Sequence, residues 1–190
     1  MTGAVVVTGA GRGLGRALCA GFARRGLPVA GLGRDAGALA GTAGAAGPLF
    51  LPVPCDVADP AQVGAAFALV RERIGPVDIL VNNAAVYPRR DVLDETAQSL
   101  LATLAANLGG AMACTREALG DMALRGEGRV LTVGSFADLA PIPASAAYAV
   151  SKGALRIWTR ALAADLSDRF PRIVVSDWMP GVLATRMGME

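Results

Sequence analysis

A phenol and an ammonium stand four residues apart in Tyr148-Ala149-Val150-Ser151-Lys152. On a helix that spacing puts both side chains on one face. A free tyrosine, with a pKa of about 10, is a poor acid–base catalyst at neutral pH, whereas a cation held beside it stabilises the phenolate and draws the pKa down. The same lysine can also reach a ribose hydroxyl of a cofactor. Ser135 closes Val133-Gly134-Ser135, thirteen residues before the tyrosine, and a hydroxyl there can donate to a substrate carbonyl oxygen. The chemistry on offer is proton transfer at an oxygen atom. Taken alone, a Tyr-x-x-x-Lys match is equally an exposed pair on an ordinary helix, so its surroundings must decide.

A second constellation lies near the amino terminus, in Thr8-Gly9-Ala10-Gly11-Arg12-Gly13-Leu14-Gly15. Glycines let a backbone turn sharply and come close to a pyrophosphate, and a following helix offers it unpaired N–H groups and a partial positive charge. Both constellations need a scaffold, and the hydrophobic pattern supplies one. Short apolar runs near Ala4 to Thr8, Pro28 to Leu32, Leu49 to Pro54, Asp78 to Val81, Arg129 to Gly134 and Arg172 to Asp177 read as strands buried on both faces. Helices are expected near Gly13 to Arg25, Pro60 to Ile74, Thr96 to Arg125 and Ala144 to Phe170, with a weak one near Ala36 to Ala43. The glycine- and alanine-rich Gly37 to Pro48 reads as a short loose connection. Strand and helix alternate about six times, and right-handed crossovers make that an α/β, doubly wound parallel sheet of three layers, Rossmann-like. Ligands of such sheets bind at the carboxyl ends of the strands, which is where Thr8 and Ser135 fall.

With the motifs placed, the chain resembles the short-chain dehydrogenases/reductases. Thr8, Gly9, Gly13 and Gly15 match that family's Thr-Gly-x-x-x-Gly-x-Gly cofactor loop, which also carries Arg12 and Leu14. Cys55-Asp56-Val57 is similar to the segment whose aspartate contacts adenine. Asn82-Asn83-Ala84-Ala85 resembles the family's Asn-Asn-Ala-Gly motif, with Ala85 in place of the usual glycine. Asn107 resembles the helix asparagine that supports a proton-relay water, and Pro180-Gly181 followed by Thr185 is similar to the segment that closes over the nicotinamide. The resemblance implies a hydride passing between nicotinamide and a carbonyl or alcohol carbon. Ser135 then polarises the oxygen, Tyr148 gives or takes its proton, and Lys152 with water near Asn107 resupplies it. The other reading of the same fold is a dinucleotide-binding sensor or scaffold with little catalysis.

In dinucleotide folds an acid at the end of the second strand binds the adenosine ribose, and an arginine nearby favours a 2′-phosphate. Here the stretch is Leu32-Gly33-Arg34-Asp35. Gly33 takes the place of the acid, Arg34 follows, and Arg12 can add a second guanidinium, so NADP(H) is favoured over NAD(H). Asp35 either returns the acid to the ribose by a one-residue shift or caps the next helix. Members of the family usually run further, through a substrate-covering helical segment and a seventh strand. Without that strand the sixth is expected to be an exposed edge, with Trp178 and Met179 as candidates to cover it. Tyr87, Ile142, Pro143, Val182 and Met187 are candidates for an apolar substrate pocket.

The 190 residues, 53% of them apolar, suffice for one core, and a single domain over 1–190 is expected. A net charge of +2 from interspersed residues leaves no footprint for nucleic acid or an anionic membrane surface. Cys19, Cys55 and Cys114 have no paired spacing and there is no histidine, so no metal ligand set is recognisable and reduced thiols in a cytoplasm are expected. Met1 to Val7 reads as a first strand rather than a signal peptide, and no apolar run is long enough for a membrane span. The expected partners are a small carbonyl or alcohol substrate and a second copy of the chain. A homodimer through the two long helices would use Gly109, Gly110, Ala146 and Ala147 for close approach.

Overall fold

The structure, a computed structural model, describes residues 3–181, 183–185 and 187. All six expected strands form: β1 (Ala4–Thr8), β2 (Val29–Gly33), β3 (Phe50–Pro54), β4 (Val77–Asn82), β5 (Glu127–Val133) and β6 (Arg172–Trp178). They pair in parallel in the order β3-β2-β1-β4-β5-β6. Successive side chains of β1 point to opposite faces, and both faces are covered. Val6 joins Leu32, Phe67 and Leu80 in one cluster, while Val5 and Val7 join Val29, Leu39 and Val81 in the other. That double burial is why the strands read as continuous apolar runs. The chain winds from β1 out through β2 and β3, then returns to place β4 on the other side of β1. A crevice opens where the two windings part, beyond the carboxyl ends of β1 and β4.

The helices are α1 (Gly13–Arg24), α2 (Ala36–Ala46), α3 (Pro60–Arg73), α4 (Ala97–Leu104), α5 (Gly110–Arg125) and α6 (Ala146–Ser167). The start of α3 shows how local sequence sets them. Asp59 caps it by accepting from the N–H groups of Ala61 at 2.9 Å and Gln62 at 3.3 Å, and Pro60 follows with its fixed φ.

Three expectations change. The weak helix expected near Ala36 to Ala43 forms and runs on to Ala46 through the segment expected to be a loose connection, because Asp35 caps it through Ala38 N–H at 2.9 Å and Leu39 and Thr42 are fully buried beneath it. The long helix expected over Thr96 to Arg125 is interrupted by a π-helical turn at Ala105–Gly109, and Thr96 is its cap rather than its first turn. The last helix begins at Ala146 and not at Ala144, whose φ of 59° lies in the left-handed region and breaks the helical run.

The sheet has two edges. β3 carries Pro52 and Pro54, which an edge strand tolerates because one side of its backbone has no partner strand. β6 pairs only with β5 among the described residues. Trp178 and Met179 do not cover it: Trp178 is 41% exposed, its carbonyl accepting from Gly134 N–H at 2.8 Å, and Met179 packs against Gly134 on the β5 side.

Candidate active site

The loop after β1 is pinned from two directions. Thr8 is buried at the end of β1, and its Oγ1 accepts from the backbone N–H groups of Asn83 and Ala84, each at 2.9 Å. Asn83 returns the contact, its Nδ2 donating to Thr8 O at 2.8 Å and to Gly9 O at 3.3 Å. From the other side Arg16 donates to Gly11 O at 2.6 Å, to Ala38 O at 3.3 Å and to Thr42 Oγ1 at 3.2 Å. Space inside this frame is available only to glycine: a Cβ at Gly15 would lie 2.2 Å from Gly9 O, and Gly13 adopts a φ of 53°. Backbone N–H groups at the start of α1 are thereby bared to the crevice, a fit for a pyrophosphate.

A groove of about 930 Å³ runs from this loop along the carboxyl ends of the strands. At one end lie Arg12, Gly33, Arg34, Asp35, Asp56 and Val57, and at the other Tyr87, Ser135, Tyr148, Lys152, Pro180 and Gly181. Gly9, Gly13, Leu14, Gly15, Ala84 and Thr185 line the middle. Such a length suits a dinucleotide with a small second molecule beside it. Asp35 turns out to be a cap, with one carboxylate oxygen on Ala38 N–H and the other on Arg12 Nη2 at 3.3 Å. Arg34 stands 3.9 Å from Asp56 across the groove. Both pairs are exposed, so water screens them and they hold these side chains only weakly.

At the other end α6 brings Tyr148 and Lys152 to the tip of β5. Lys152 is 3% exposed, and Nζ donates to Val133 O at 2.8 Å and lies 5.7 Å from the Tyr148 ring centre. Burial draws its pKa down to about 8. The Tyr148 phenol is pushed up by burial, the neighbouring Ser135 hydroxyl acting in the opposite direction. The expected depression of the phenol by the lysine is not seen in the chain by itself: burial raises the phenol, and the ammonium is turned to the Val133 carbonyl. Tyr87 packs on Tyr148 with ring centres 4.4 Å apart.

Asn107 sits in the π turn, 1% exposed. Its Oδ1 accepts from Val86 N–H at 2.8 Å, and Nδ2 donates to Val86 O and to Ser151 Oγ, both at 2.9 Å. Ser151 in turn donates to Tyr148 O at 2.7 Å. The asparagine thus couples the groove wall to the helix of the phenol. π turns recur at functional sites because the extra residue redirects a side chain.

A family model described as short chain dehydrogenase matches residues 3–190. The chain belongs to the short-chain dehydrogenase/reductase family. Among similar proteins of that kind is 2-(S)-hydroxypropyl-CoM dehydrogenase 3 of Xanthobacter autotrophicus, 35% identical over 98% of this chain and 74% of that protein. The 3-oxoacyl-[acyl-carrier-protein] reductase of Bos taurus is 32% identical over 95% of this chain and 76% of its own. A crystal structure of an actinorhodin polyketide ketoreductase variant with NADPH superposes with a TM-score of 0.92 at 31% identity, covering 98% of this chain and 73% of that one. This short-chain dehydrogenase/reductase is accordingly an NAD(P)-dependent oxidoreductase acting on CH–OH and C=O groups.

The structure does not bring every sequence-selected residue of this dehydrogenase to the groove. Thr8 and Asn82 are buried behind it, Asn82 donating to Thr115 Oγ1 on α5 at 2.9 Å. Tyr87, Ile142 and Met187 line it, Pro143 does not, and Val182 lies outside the described residues. Phe136, Ala137, Ala140 and Arg89 line the groove without having been singled out, since nothing in a loop's composition tells which side it turns inward. Arg16 and Ser151 were missed too, although Ser151 stands inside a motif and Arg16 directly follows one. The three thiols are buried and shifted upward, Cys55 to about 11, and no described cluster of His, Cys, Asp or Glu could hold a metal.

The buried ammonium has a measurable consequence. Because folding lowers the Lys152 pKa from 10.5 to about 8, the folded chain binds that proton more weakly than the unfolded one. The cost weighs fully below about pH 8 and fades as pH rises toward 10.5. Lys152→Met should therefore raise the unfolding free energy at neutral pH by about 1–3 kcal/mol, after allowing for the lost bond to Val133. Urea unfolding at pH 7 and pH 9.5 checks this: the gain should shrink at the higher pH, and no gain at pH 7 would contradict it.

Proposed function

We propose that this chain is an NADP(H)-dependent oxidoreductase that interconverts a carbonyl and an alcohol on a small molecule, with Tyr148 as the general acid/base. The observation that carries the reading is the convergence of Ser135, Tyr148 and Lys152 at one end of a groove whose middle is a glycine-built phosphate cradle. Bound nicotinamide would supply or accept the hydride at the carbonyl carbon. In the reducing direction Ser135 Oγ donates a hydrogen bond to the carbonyl oxygen and Tyr148 Oη delivers the proton that completes the hydroxyl; oxidation runs the same transfers in reverse. Burial keeps the phenol protonated, the form from which the reducing direction starts, and a nearby cation would favour release of its proton once cofactor and substrate are bound. Lys152, with a pKa of about 8, keeps an ammonium at neutral pH that can serve both the phenolate and a ribose hydroxyl. Asn107 keeps Val86 and Ser151 in register around that exchange.

The preference for the phosphorylated cofactor is supported by Arg34 and Arg12 at the adenosine end, by the missing side chain at Gly33, and by the diversion of Asp35 into capping α2. The NADPH-bound relative agrees with it. Self-association is supported by Leu101, Met112, Val150 and Ile157, apolar side chains left exposed on α4, α5 and α6. Gly110 and Ala147, expected to permit close approach there, are buried inside the subunit, which leaves Gly109 and Ala146 for that role.

Three outcomes test the reading. NADPH should bind more tightly than NADH, and Arg34→Ala should narrow the gap by roughly tenfold through loss of a charge-assisted contact; equal affinities by fluorescence titration in the unmodified protein would reject the cofactor choice. Light scattering at micromolar concentration should report a dimer, and a monomer would exclude the helix pairing. Against a panel of ketones and aldehydes, Tyr148→Phe should cut NADPH-dependent turnover by about 10²–10⁴-fold while cofactor affinity stays nearly unchanged. Lys152→Ala should lower both. A Phe variant that keeps the parent rate removes the phenol from the mechanism.

A further inference from the structure

Three residues beyond Ser135 the chain closes a short 3₁₀ turn, Phe136–Asp138, capped by Ser135 Oγ accepting from Ala137 N–H at 3.2 Å. The turn has two sides. Phe136 and Ala137, with Ala140 just after them, line the groove, whereas Asp138 is directed into α6, its side chain 2% exposed. There Asp138 Oδ2 accepts from Nε of Arg156 in a charge-assisted pair, and Oδ1 is buried without a hydrogen-bond partner among the described residues. Arg156 lies four residues past Lys152 and eight past Tyr148, so all three share one face of α6. The turn lies against this face of α6: a Cβ built at Gly153 would be in ordinary van der Waals contact with Asp138 Cβ, at 3.6 Å.

We propose that Asp138 and Arg156 are positioning residues, a clamp that fixes the turn bearing Ser135 on the helix bearing Tyr148. A turn this short, followed by irregular chain up to Ser145, has little local structure of its own to set where the serine hydroxyl stands. The carboxylate is buried and the guanidinium only a quarter exposed, and a charge-assisted contact of this kind is directional and little screened on its carboxylate side. It fixes the two donors of the site relative to each other, and it presents Phe136 and Ala140 as a wall of the substrate end. Neither residue touches reacting atoms. The kinetic consequence rests on the assignment of Ser135 and Tyr148 made above.

The experiment has two arms. In the cofactor-free protein, hydrogen exchange of the amides of residues 136–140 should quicken by about tenfold or more in Asp138→Asn, while α1 to α3 exchange at the parental rate. Arg156→Lys, which keeps the buried carboxylate paired with a cation and so protects folding, should quicken the same amides to a lesser degree. This arm needs no substrate: unchanged exchange in both variants overturns the clamp. The second arm uses the ketone of the panel that the parent reduces best. Asp138→Asn should lower kcat by about tenfold with NADPH affinity retained, since small displacements of catalytic groups are costly. In a Ser135→Ala background the same substitution should have almost no further effect. Losses that multiply across the two sites would overturn action through Ser135. Full activity of Ser135→Ala alone would remove the serine from the reaction, and the exchange arm would still decide whether the pair holds the turn.

Discussion

The ammonium of Lys152 is buried to within 3% at the tip of the sheet. A cation so placed must be given a partner or lose its charge, and the surrounding chain is arranged to keep it. The end of β5 offers the Val133 carbonyl, and α6 lies close enough to the sheet for Nζ to reach it. That seating in turn fixes Tyr148 one helical turn earlier, beside Ser135 at the end of the same strand. A more exposed lysine would be cheaper to fold.

The second organising contact is Thr8. One hydroxyl accepts from two successive backbone N–H groups of the β4 exit, which joins the first βα turn to the Asn83–Ala84 segment across the crevice. The glycine loop, pressed between this contact and Arg16, has no room for a side chain at Gly15. Backbone atoms therefore form the cradle, and their positions are set by neighbours instead of by the loop itself. The same economy appears in Asn107, whose amide is wholly occupied with Val86 and Ser151. Its bonds join three elements that meet at the phenol.

The acidic and basic residues of the groove show how tertiary contacts redistribute roles that a linear reading leaves open. Asp35 caps α2 and engages Arg12, so an acid adjacent to the cofactor's adenosine end is drawn into helix formation. Arg34 is left at the groove wall with a long contact to Asp56. Asp138, by contrast, is drawn out of the groove altogether and into the helix packing.

Most of the architecture was legible in the chain itself. Strands buried on both faces must be apolar throughout, so all six announced themselves, and the order of the glycine loop, Asn83, Ser135, Tyr148 and Lys152 along them located the crevice and its contents. What the sequence could not determine depended on partners distant along the chain. The glycine-rich α2 read only as a weak helix running into a loose connection because propensity disfavours it, yet one cap and the burial of Leu39 and Thr42 outweigh that. The π turn, the left-handed Ala144 and the inward direction of Asp138 left no local mark, nor did the burial of Asn82 behind the groove. Most telling is the phenol, whose spacing from Lys152 predicted a lowered pKa. Spacing establishes that two side chains share a face; only the packed structure sets how much water each has lost, and here desolvation of Tyr148 is the larger effect.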